Sequence, residues 1–141
     1  LTQGARVVIR LSGTSQQGRA MMTVVDDALP AGFEIDSTLT PDDGDTAADA
    51  DNTVGSEDRS KAKGPFAFLG ALTQASVQER RDDRYVAAFT LPGNKSFAFA
   101  YVARAVTPGD FFLPGATAGD MYKPAVTART GARRVKIQPA Q

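Results

Sequence analysis
Apolar side chains in this chain recur every second residue. In Arg6-Val7-Val8-Ile9-Arg10-Leu11-Ser12, Val7, Ile9 and Leu11 share one face while Arg6 and Arg10 take the other. A strand that packs on one side and meets water on the other alternates in this way. The same period returns in Tyr85, Ala87, Phe89 and Leu91, and again in Phe97, Phe99 and Tyr101. Further strands are predicted over residues 19–25, rich in β-branched side chains, and over 33–35, 76–81, 111–113, 125–129 and 133–137. Gly- and Pro-bearing turns separate them: 13–18, 27–32, Pro92-Gly93-Asn94, Pro108-Gly109 and Pro114-Gly115. Short strands punctuated by turns, with no fixed-period repeat, predict one all-β antiparallel β-sandwich over residues 1–141.

One stretch breaks the pattern. Residues 36–64 are read as a long, mostly acidic surface loop. Between Asp36 and Asp58 the chain carries eight acids, no base, and only Leu39 and Val54 as large aliphatics. Such a segment cannot bury enough surface to offset its ordering entropy. Removing residues 39–61 is therefore expected to leave the melting temperature almost unchanged. Pro65-Phe66-Ala67-Phe68-Leu69 is an apolar plug suited to docking the loop back onto the core. The abrupt opening Leu1-Thr2-Gln3-Gly4 suggests a piece of a larger multidomain protein.

Chemistry is narrowed by what is missing. The chain has neither cysteine nor histidine. It can form no disulfide, thiolate nucleophile or Cys-ligated zinc site, and no Ser-His-Asp or Cys-His arrangement. The usual general base near neutral pH is also gone. An enzyme is not expected, and no cofactor or metal is. Sixteen basic residues balance sixteen acidic ones, which gives no reason to expect nucleic acid as a partner.

Four features remain as candidate sites. Asp42-Asp43-Gly44-Asp45 with Asp49 and Asp51 is calcium-like in composition but lacks the regular acidic register and the Glu at the twelfth position. A solvated loop is the expectation. Phe97, Phe99 and Tyr101 could form a sugar-stacking platform; apolar Ala98, Ala100 and Val102 between them favour a strand buried on both faces. Basic Lys123, Arg129, Arg133, Arg134 and Lys136 alternate with apolar residues and read as a solvated outer face. Finally, Gly119-Asp120-Met121-Tyr122-Lys123-Pro124 places a thioether beside a phenol in a Gly- and Pro-bounded loop, a surface that covers either its own sandwich or something on a partner.

Three pieces of the chain, in this order, resemble the C-terminal macroglobulin-like domain of bacterial alpha-2-macroglobulins. They are Asp26-Asp27-Ala28-Leu29-Pro30-Ala31-Gly32-Phe33-Glu34-Ile35, then Tyr85 to Leu91 followed by the aromatic strand from Phe97 through Tyr101 and Arg104-Ala105 to Pro108-Gly109-Asp110-Phe111, and residues 114–124 with Met121-Tyr122 before Lys123-Pro124. Gly119 stands where the family often has an acid. The acidic insertion fits no pattern of the family. The resemblance implies a macroglobulin or fibronectin-III-like sandwich from a periplasmic protease inhibitor anchored to the inner membrane by lipid. In that family a separate domain holds a Cys–Gln thioester, and cleavage of a bait region exposes it to capture the protease. Met121 and Tyr122 would be the loop that shields it. Partners would be the neighbouring thioester domain and, through the whole protein, target proteases, with the domain itself monomeric. The alternative is a non-catalytic fibronectin-like spacer or adhesion and ligand-binding module.

Overall fold
The computed structural model describes residues 1–43 and 65–141. Ten strands follow in order: β1 (Arg6–Thr14), β2 (Met21–Ala28), β3 (Phe33–Thr38), β4 (Val77–Arg80), β5 (Arg84–Leu91), β6 (Ser96–Ala105), β7 (Gly109–Leu113), β8 (Thr117–Asp120), β9 (Thr127–Arg129) and β10 (Arg133–Ile137). Single 3-10 turns lie at Pro41–Asp43 and Ala67–Leu69. One sheet has the order β1-β6-β3, the other β4-β5-β2-β8-β9, and β7 pairs with β10. Every ladder between these strands is antiparallel.

The period-two pattern explains the core. Val25, Tyr85, Ala87, Phe89 and Leu91 project from the five-stranded sheet onto Phe97, Phe99, Tyr101 and Ala103 of β6. The Phe89, Phe97 and Phe99 rings pack edge to face or tilted, as ring quadrupoles favour; Phe89 and Phe99 have centroids 4.8 Å apart. The burial of all three β6 rings removes the sugar platform. The opposite face of β6 is buried too: Ala98, Ala100 and Val102 lie under Leu39, Leu69 and Leu72. The apolar plug thus docks through Leu69, while Phe68 stays 72% exposed.

One polar pair ties the sheets together. Tyr101 Oη donates to Asp27 Oδ2 at 2.6 Å, inside the core. Tyr101 also stacks on Tyr85, centroids 4.7 Å apart. Burial pushes the Asp27 carboxyl above its ordinary value, opposed by the Tyr101 bond and reinforced by Asp26. Burial likewise raises the Tyr101 phenol. The folded value of Asp27 lies above its ordinary one, so its contribution to stability is full below pH 3.8 and is lost as pH rises through the folded value.

On the outer face of the smaller sheet, Arg6 stands directly opposite Arg104. A bulge between Ile35 and Ser37 releases Asp36 from the β3 ladder. Asp36 then reaches both guanidiniums, 3.0 Å from Arg6 and 3.5 Å from Arg104.

Two sequence expectations need correction. The acidic loop does not begin at residue 36, because Asp36–Thr38 complete β3 and Leu39 is 6% exposed. Composition alone could not show that this lone leucine has partners thirty residues later. Removing residues 39–61 would therefore strip a buried side chain. The remainder of that loop, residues 44–64, with Asp45, Asp49 and Asp51, lies outside the described residues. Secondly, Thr117–Asp120 is a strand, although its small polar residues lack apolar alternation; β2 supplies its ladder. The turn at Pro92-Gly93-Asn94 forms as expected, with Asn94 at φ 56°. A side chain on Gly93 would stand 2.8 Å from the Arg19 backbone nitrogen.

Leu39→Ala should cost about 2–5 kcal/mol in urea unfolding, the range for a truncated buried leucine. Phe68→Ala should change stability by less than about 0.5 kcal/mol, as surface substitutions do. Equal effects would contradict the assigned cover over β6.

Candidate functional site
The segment after β8 is built around one carboxylate. The Asp120 side chain is 2% exposed and accepts from Arg19 Nη2 at 2.8 Å. Its other oxygen accepts the Tyr122 backbone N–H, also at 2.8 Å, the local turn that Asp favours. Both contacts hold the Asp120 carboxyl below its ordinary value, Arg19 first. Backbone bonds finish the loop. The Met121 N–H donates to the Met22 carbonyl, the Asp120 N–H to the Val126 carbonyl, and the Val126 N–H to the Lys123 carbonyl.

The outcome is a fixed backbone carrying unburied side chains. Met121 is 51% exposed and Tyr122 79% exposed. Of the two readings for this loop, folding back onto its own sandwich is thus overturned: the tether is made by Asp120 and the main chain, leaving thioether and phenol in water. Gly119 precedes them in β8, and an added Cβ would sit 3.3 Å from the Val126 carbonyl oxygen.

Sequence reasoning singled out Met121 and Tyr122 but assigned no role to Asp120 or Arg19. An acid two residues before the tyrosine is a turn signal that could have been read. The Arg19 contact spans 101 positions, and nothing local announces it.

The other candidates stand apart from this loop. Lys123, Arg129, Arg133, Arg134 and Lys136 are all exposed; Arg134 pairs with Asp110 at 3.1 Å. Asp43 is engaged by the Thr40 N–H and hydroxyl. Among the described residues no three acids gather as a metal cage would require. A cleft of roughly 360 Å³ opens between β1 and β10, lined by Val7, Ile9, Leu113 and Val135, with Asp27 and Tyr101 at its floor. Asp27 is there bonded to Tyr101.

Comparison with known proteins gives one consistent answer. Residues 1–125 match the bacterial alpha-2-macroglobulin MG10 domain. An alpha-2-macroglobulin of Xylella fastidiosa (strain 9a5c) is 37% identical over 130 residues, covering 89% of this chain and 7% of that protein. The alpha-2-macroglobulin of Escherichia coli (strain K12) is 32% identical over 103 residues, covering 72% of this chain and 6% of its own length. In three dimensions, the native conformation of E. coli alpha-2-macroglobulin superposes with a TM-score of 0.73 at 28% identity, over 99% of this chain and 8% of that one. A mutant Salmonella alpha-2-macroglobulin gives 0.70 at 28% identity, with the same coverages. This chain therefore spans under a tenth of the length of the curated relatives it matches. With the family match running through β1 to the Met121–Tyr122 loop, the chain belongs to the bacterial alpha-2-macroglobulins, a family of protease inhibitors, as one of their macroglobulin domains.

Proposed function
We propose that this domain guards a thioester held by a neighbouring domain of the same polypeptide, and that the Met121–Tyr122 loop is the guard. The observation that carries the reading is the loop itself: an exposed phenol and thioether on a backbone fixed by Asp120. A thioester lasts in water only while nucleophiles are kept away, and an apolar pair held at a set position supplies a dry cover. The cover must also release when the trap is sprung. A loop contact made by two side chains separates more readily than an interdigitated core. The chain has no cysteine, so the thioester belongs to another domain.

The relatives support this reading. A Salmonella alpha-2-macroglobulin has been solved after reaction with methylamine, and the E. coli protein after activation by trypsin. An amine-sensitive, protease-triggered protein is what a shielded thioester trap would be. On this reading the parent is a broad-spectrum inhibitor that meets proteases through its other domains. The periplasm, with a lipid anchor in the inner membrane, is the compartment we assign to it.

Asp120 acts here as a positioning residue. Its folded-state pKa is lowered, so its contribution to stability is present above pH 3.8 and is lost as pH falls through the folded value.

In the full-length protein, Tyr122→Ala should leave the melting temperature nearly unchanged and speed methylamine-induced thiol release roughly tenfold, the effect of losing about 1.4 kcal/mol of cover. Thiol released at the natural rate would sink the guard role. No thiol in either protein would favour the spacer reading. For Asp120, release should rank Asp120→Ala above Asp120→Asn above the natural protein. Asn keeps an acceptor for the Tyr122 N–H but drops the ion pair. Melting curves between pH 2 and pH 5 (a range of about three units around the ordinary carboxyl value) should show the natural chain losing stability relative to Asp120→Asn as pH falls.

A further inference from the structure
The edge strands of the two larger sheets are not alike. β4 and β9 have only four and three residues. β3 is bulged after Ile35, and Arg80 Nη1 donates to its Asp36 carbonyl at 2.9 Å. Short, bulged or covered edges resist pairing with another chain. β1 has none of these devices. It runs nine residues without proline or bulge and pairs with β6 alone. At the usual rise of a strand it is about 30 Å long.

Main-chain bonds fix its phase from both ends. The Ala105 N–H donates to the Ala5 carbonyl, and the Ser15 N–H to the Lys95 carbonyl, both at 2.9 Å. Positions in an antiparallel ladder alternate between those that exchange bonds with the partner and those whose groups point away. With Ala5 and Ser15 on bonded positions, Val7, Ile9, Leu11 and Gly13 bond to β6. The N–H and carbonyl groups of Arg6, Val8, Arg10, Ser12 and Thr14 then point to the free edge, and among the described residues no main-chain partner meets them.

The space beside that edge is apolar. Val7, Ile9 and Leu11 face the core yet are only half buried. The cleft between β1 and β10, roughly 360 Å³, continues into a second hollow of roughly 450 Å³, the two sharing Leu11, Ala116 and Thr130. Arg10 lines both, Arg133 the first and Arg129 the second. Among the described residues none of these three arginines pairs with a carboxylate. Asp27, held by Tyr101 at the floor, is the single acid among the described residues that line either hollow.

We infer that the β1 edge is a docking site for an extended acidic segment of a second protein, which joins the sheet as an added antiparallel strand. Such a strand satisfies the outward main-chain groups from Arg6 to Thr14 and turns alternate apolar side chains into the cleft, where Val7, Ile9 and Leu11 lack cover. Its remaining side chains emerge beside Arg10. Acids there meet guanidiniums that hold no carboxylate, and basic side chains are repelled. The site shares no residue with the Met121–Tyr122 loop and does not depend on the guard reading.

The test is a titration of full-length protein against a fluorescent peptide of the length of β1, alternating glutamate and valine, read by anisotropy. Residues directly opposite one another in a ladder share a face, so the glutamates stand opposite Arg6, Val8, Arg10, Ser12 and Thr14 and supply the bonded amides. N-methylation of the glutamate amides should weaken binding at least about tenfold, the loss of a few ladder hydrogen bonds, whereas N-methylation of the valine amides should change it little. Lysine in place of glutamate should weaken it as much. So should Val8→Pro, which removes a donor from the free edge and none from the β6 ladder. No binding to the full-length protein, equal binding of the two methylated peptides, or equal binding of the lysine peptide would each overturn the proposal. Dimerisation of the protein that Val8→Pro abolishes would give the edge to a second copy instead and would also overturn it.

Discussion
The arrangement of this domain depends on a single strand, β6, that is buried on both faces from Phe97 to Ala103. β6 carries Phe97, Phe99 and Tyr101 inward and Ala98, Ala100 and Val102 outward, and all six are buried. A central strand so apolar demands cover twice. The inner cover is the five-stranded sheet, whose Tyr85 and Phe89 match the β6 rings. The outer one is improvised from Leu39, which follows β3, and from Leu69 and Leu72, which precede β4. Small residues on the outward side of β6 let those leucines come close. The connection between β3 and β4 is thereby pinned at both ends by the same hydrophobic requirement.

In the Met121–Tyr122 loop, the atoms that fix the backbone differ from those that are exposed. The Met121–Tyr122 loop gains its shape from a nearly buried carboxylate, an arginine and backbone bonds. Its two large side chains contribute little to that shape. They can be used against a partner without being borrowed from the core. This separation suits a contact that must be tight in one state and abandoned in another, because abandoning it leaves the sandwich intact.

Much of this was readable from residue order. Strong alternation located β1, β5 and β6, and the aromatic strand was correctly assigned to the core because its intervening residues are also apolar. The Met-Tyr pair stood out through its Gly and Pro neighbours and through the family resemblance. What escaped notice was non-local. Thr117–Asp120 has no strand signature of its own and owes its conformation to β2. Leu39 looked stranded among acids because its partners come after the intervening acidic segment. Asp120 gains its role from Arg19, on a distant part of the chain. In each case the deciding contact joins segments that sequence reading treats one at a time.

The Arg6–Asp36–Arg104 cluster has a consequence for how such a domain can change over time. Two arginines on adjacent strands face each other across the ladder and are tolerated because a bulged aspartate lies between them. Replace the aspartate alone and the two like charges keep only Glu34, across the ladder from Arg104, as a neighbouring carboxylate. Replace either arginine first and the aspartate still has the other. Substitution at either arginine is therefore the milder change, since the aspartate keeps a partner, whereas substitution at the aspartate weakens the compensation of both arginines at once. The bulge that frees Asp36 thus serves twice, bringing one carboxylate to both guanidiniums and leaving the Asp36 carbonyl to accept from Arg80 at 2.9 Å.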